Sequence, residues 1–220
     1  MKKLLAIAVL LAVPGAFAQT PAGTPFTRIY KQGEKVGYTV NHVVKLLGTH
    51  TLNVDIGLTV SKVLEKGRAE LHVHWSNLHT DPNESASLPA DMTIQTGPNN
   101  MAEHFAPTQG EIGFYVAFLQ LASATADKPV NAGDEVPVSW DGGNGSMAFK
   151  GTLKVLEITP EKKRLKALIK AKPSFGGQEA GEITLTSTYD LTDGSLIQST
   201  GAFMLGTNAQ DFTFTRKSNP

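Results

Sequence analysis

Leu52, Val54, Ile56, Leu58 and Val60 occupy alternate positions of one run, separated by Asn53, Asp55, Gly57 and Thr59. Side chains of a strand point to opposite faces in turn, so this spacing gives one apolar face and one polar face. A helix would scatter the same residues around its axis. The pattern resumes after Lys66-Gly67 as Ala69, Leu71, Val73 and Trp75. A two-residue loop there sets Val60 opposite Val73 and Leu58 opposite Trp75, so the apolar faces of a hairpin agree.

Period two recurs along the chain. Val36, Tyr38 and Val40 alternate with polar residues, as do Val136, Val138 and Trp140 before the turn at Asp141-Gly-Gly-Asn-Gly145. Strands are expected from Met147 to Thr159 and over Leu165, Ala167, Ile169 and Ala171, where Pro173 closes the run. Glu182–Tyr189 and Ser195–Leu205 are joined across Asp193-Gly194, a strong hairpin signal, and Gln210–Arg216 makes a last strand. Residues 77–107 carry five prolines and glycines and read as a long loop with one short strand near Met92–Gln95.

One segment breaks the rule. Ile112, Tyr115, Val116, Leu119 and Gln120 fall on one helical face, with Phe114, Phe118 and Leu121 beside it. An amphipathic helix over 111–122, packed on a sheet, is expected. The flanking halves, 26–106 and 128–216, resemble each other: Gly33-Glu-Lys-Val36 recurs as Gly133-Asp-Glu-Val136. The fold class is therefore all-β and antiparallel. Two similar meanders form a large curved sheet, an open barrel or a sandwich, with one helix on it.

The first eighteen residues have the zones of a secretory signal. Lys2 and Lys3 precede the apolar run Leu4–Val13, which is too short to span a bilayer, and Ala16-Phe17-Ala18 suits a signal peptidase. Cleavage after Ala18 would leave residues 19–220 as one periplasmic or secreted domain that does not span a membrane, opening with a loose polar leader at 19–25. It would carry 18 basic against 20 acidic side chains, a balance that argues against a nucleic-acid partner. The absence of cysteine excludes disulfides, thiol catalysis and thiolate metal sites.

Few residues carry chemical signals. His72 and His74 are two apart in an expected strand, beside Glu70, so both rings project from one polar face and are candidate metal ligands. No nucleophile elbow, phosphate loop or dinucleotide fingerprint is present, and no cofactor is implied. Lys150, Lys154, Lys166, Lys170 and Lys172 line one side of the second meander, where lysine discourages edge pairing or attracts an anionic partner. Phe114, Tyr115 and Phe118 of the helix, with Trp75 across the sheet, are the candidate contacts for an apolar ligand.

Lys128-Pro-Val-Asn-Ala-Gly133-Asp134, followed by Trp140 and Gly151-Thr-Leu-Lys-Val155, resembles a pattern in exported bacterial β-rich proteins of unknown function. In those proteins the tryptophan follows the aspartate by about two positions, whereas here it follows by six. The resemblance covers about residues 128–200 and implies an envelope β domain without assigning site residues. The expectation is a non-enzymatic exported protein that binds an apolar, lipid-like or envelope ligand. A metal-dependent hydrolase using His72 and His74 is one alternative, and a purely structural envelope protein is another.

Overall fold

The computed structural model describes residues 23–45, 48–82, 87–88, 90–97, 99–103, 110–142, 147–205 and 208–218. The expected signal segment, the start of the leader and positions 143–145 of the expected turn lie outside them. The elements in chain order are β1 (Lys35–Lys45), β2 (Thr49–Val63), β3 (Ala69–Asp81), β4 (Met92–Thr96), β5 (Ala102–Glu103) and α1 (Gly110–Ala122). There follow β6 (Glu135–Asp141), β7 (Met147–Thr159), β8 (Arg164–Phe175), β9 (Gln178–Glu179), β10 (Glu182–Asp190), β11 (Ser195–Leu205) and β12 (Asn208–Arg216). Among the described residues the protein is thus all-β with a single α-helix.

All strands join one antiparallel sheet in which neighbours follow chain order, with β9 a short branch on β8. Strand β12 returns to β1, pairing Tyr38 with Arg216 and Val44 with Gln210. An up-and-down meander has therefore rolled into a nearly closed barrel. Its break falls between β5 and β6, whose edges approach without a ladder among the described residues. The inner face is apolar, from Val40 and Ile56 to Ile169 and Phe214. The outer face carries Thr184, Thr186, Lys154 and Lys170, the inverse of a membrane-spanning barrel. Among the described residues no helix is long and apolar enough to cross a membrane.

Several expectations need correction. The β2–β3 register differs by two, with Leu58 opposite Val73 and Ile56 opposite Trp75. The loop is the three-residue turn Glu65–Gly67, closed by the Leu64 N–H donating to the Arg68 carbonyl, and a bulge between Val60 and Lys62 absorbs one more residue. An even shift leaves the inner face unchanged, which is why the faces agreed in either register. Strand β3 also runs on to Asp81 instead of ending at 76. Asn77, at φ 54°, forms a second bulge that moves the inward positions from Trp75 to Thr80, so simple alternation loses the strand there.

Pro173 sits inside β8 opposite Phe149 and does not end it. The β10–β11 connection spans Leu191–Gly194, with Gly194 at φ 70°. The leader is not loose over its described part. Thr24 and Val130 exchange two backbone hydrogen bonds, at 2.8 and 2.9 Å, and Phe26 is buried edge-on against Tyr189. Residues 24–30 thereby close one end of the barrel.

The halves also open alike. The Gly33 N–H donates to the Val60 carbonyl, and the Val60 N–H to the Glu34 carbonyl, both at 2.9 Å. Gly133, Val155 and Asp134 repeat this pair of bonds at 2.8 and 2.9 Å. A positive φ at both glycines, 79° and 93°, permits the turn that aims β1 and β6 into the sheet.

Candidate functional site

The helix defines the site. Every residue from Tyr115 to Ala122 is buried, so no side of this stretch faces water. The expected amphipathic helix on a sheet is instead a helix inside the barrel, buried on every side along this stretch. Buried positions outnumber what one face holds, and this is the pattern of an enclosed helix. Phe118 packs against Phe149 of β7, Phe203 of β11 and Phe212 of β12, with ring centroids 5.8, 6.0 and 4.9 Å away. Phe114 meets Phe175 of β8 edge-on at 5.8 Å. At the far end the Tyr189 hydroxyl donates to the Ala122 carbonyl at 2.7 Å, satisfying one of the free carbonyls of a helix terminus.

A polar cluster interrupts this apolar wall near the start of the helix. His42 of β1 stacks on Phe212 with centroids 4.2 Å apart and planes 6° from parallel. Its Nδ1 lies 2.7 Å from the Tyr115 hydroxyl, and its Nε2 lies 3.1 Å from Gln210 Oε1 of β12. The amide oxygen of Gln210 accepts, which places the proton on Nε2 and leaves Nδ1 to accept from Tyr115; the tautomer follows from the partners. Burial lowers the pKa of His42 from its ordinary value, only partly offset by Gln210 and the charge of Asp211. The ring is therefore neutral near neutral pH.

A small cavity lies at the opposite end, among Arg28, Tyr30, Tyr38, Asn100, Gln120 and Ser123. Its volume of about 30 Å³ holds on the order of two water molecules. Arg28, almost fully buried, donates to Glu34 at 2.6 Å and lies 3.7 Å from Asp193. Burial pushes the Tyr30 phenol up to about 12, and its hydroxyl bonds Asn100. Gln120 is buried and its Oε1 has no hydrogen-bond partner among the described residues. The cavity has a mixed lining, with these polar groups facing Val36, Leu58, Val60, Leu71 and Leu196.

Of the expected ligand contacts, Phe114, Tyr115 and Phe118 gather at the helix. Trp75 stands apart on β3, buried opposite Ile56, and its indole N–H has no partner among the described residues. His72 and His74 do share the outer face of β3, but they flank one carboxylate. Asp91 lies 3.3 Å from His72 Nε2 and 2.9 Å from His74 Nδ1. Among the described residues no group of three or more His, Cys, Asp or Glu side chains is arranged to hold a metal ion. The five lysines project outward; Lys154 pairs with Glu135 and Lys172 with Glu179.

His42 and Gln210 were missed from the sequence. The parity of β1 could have found His42, because it continues the inward series Val36, Tyr38, Val40. Nothing local ties it to Gln210, 168 residues away. No family model matches the chain, and no curated protein or solved structure matches it.

Proposed function

We propose that the protein is an exported, non-enzymatic binding protein whose barrel interior takes an apolar, lipid-like ligand when α1 moves aside. The observation that carries this reading is the enclosed helix itself. A barrel of this size surrounds a ligand-sized apolar volume, and here that volume is filled by a segment of the same chain. The helix lies in the chain between β5 and β6, the two strands left unpaired at the break, so its displacement need not part a strand ladder. Filling by Phe114, Tyr115 and Phe118 keeps the empty form folded, and a ligand must exceed that packing to bind. The resemblance to exported β-rich proteins and the apparent secretory signal support an envelope setting.

The test combines binding with helix position. N-phenyl-1-naphthylamine is titrated into the full chain, and Ala117→Cys supplies the sole thiol in a protein that has none. Saturable one-to-one fluorescence with a tenfold or greater rise in thiol labelling is expected. No saturable binding, or binding that leaves Cys labelling unchanged, overturns the reading in favour of a purely structural barrel.

A further inference from the structure

The His42 cluster points to a chemical class of ligand, an inference that rests on the binding role proposed above. Tyr115 is the helix's polar contact with this part of the wall, and its position resembles that of a bound small molecule. Its ring lies edge-on to His42 and Phe212, with centroids 5.5 and 6.2 Å away, and its hydroxyl supplies a proton to His42 Nδ1 at 2.7 Å. The acceptor is held in place without the helix. Phe212 stacks beneath the ring and Gln210 fixes the proton on Nε2. When α1 withdraws, Nδ1 becomes an oriented acceptor facing an apolar interior.

An unfilled buried acceptor is unfavourable, so the replacing ligand must bring a donor. A pure hydrocarbon brings none. A carboxylate brings an acceptor and a negative charge to a ring that is neutral near neutral pH. The nearest cation along β1, Lys45, is already paired with Asp211 at 2.8 Å on the outer side. We propose that the interior selects a neutral amphiphile with one terminal hydroxyl, a long-chain alcohol or phenol, bound with its hydroxyl on His42 Nδ1 in place of Tyr115. A few placed polar groups in an apolar site commonly set such orientation and selectivity.

Three probes with the same chain test this on the full protein at mildly alkaline pH: para-octylphenol, octylbenzene and para-octylbenzoate. Calorimetric affinity for the phenol should exceed that for the other two by about tenfold or more. In His42→Phe, which keeps a ring on Phe212, phenol and octylbenzene should bind alike. In the wild type, nitrogen NMR of His42 should leave Nδ1 close to its hydrogen-bonded position with the phenol and move it toward that of a bare acceptor with octylbenzene. Equal affinity for phenol and octylbenzene in the wild type overturns the hydroxyl selection and leaves apolar binding intact. Tightest binding of the benzoate overturns it too. Binding of none of the three removes both readings. The wild-type comparisons decide the matter even if the variant does not fold.

Discussion

His42 contributes to stability in a direction fixed by its surroundings. Burial against Phe212 and Tyr115 lowers its pKa below the ordinary 6.5, so the unfolded chain binds a proton more readily than the native one. Its contribution is fully present above the unfolded value and is lost as pH falls from there toward the folded value. Urea midpoints should therefore fall as pH drops below about 6.5, and His42→Phe should flatten that stretch of the profile. An unchanged slope in the variant would place the acid sensitivity elsewhere. Asp55 and Asp190 act in a lower window. Burial alone would raise Asp55, but hydrogen bonds from Asn77, Lys217 and Thr39 outweigh it and hold its carboxyl below the usual range. Asp190 is held down likewise by Thr192 and the charges of Arg164 and Arg216. Their contributions are present at neutral pH and disappear only in stronger acid.

The element that decides the site is α1, and its limits were readable where its surroundings were not. The apolar run over 111–122 marks the helix to within one residue of Gly110–Ala122. Its placement inside the barrel depends on aromatic partners at 149, 203 and 212, which no local window contains. The strands were legible through Leu52–Val60 because a half-buried strand writes its face into alternate positions. They became illegible at Asn77, where a bulge shifts that alternation by one. Phe118→Ala gives the helix a sharp test, because its two effects have opposite signs. Loss of the contacts to Phe149, Phe203 and Phe212 should destabilise the protein by about 3–5 kcal/mol. A helix held less firmly is also cheaper to displace, so N-phenyl-1-naphthylamine should bind more tightly. Chemical denaturation and titration on one preparation measure both, and weaker binding would contradict displacement.

At the scale of the whole molecule, closure depends on two inward positions where the sheet bends. A Cβ added at Gly151 would lie 2.0 Å from the Lys170 carbonyl oxygen, and one at Gly201 would lie 2.0 Å from that of Thr184. Neighbouring backbone comes that close where a barrel turns a corner. Gly201→Ala should cost about 1–3 kcal/mol in denaturation, as overpacked sites do; a neutral result would mean the corner relaxes freely. The β1–β12 seam has a temporal consequence. Tyr38 pairs with Arg216, so everything from β1 to β12 must be made before β1 acquires its second neighbour. A long stretch of chain must be searched to form that ladder, which slows closure. Until then the β1 edge is exposed to other chains. The first of the described strands in chain order is therefore among the last to be protected, and holding the segment unfolded would defer that exposure until β1 to β12 can fold together.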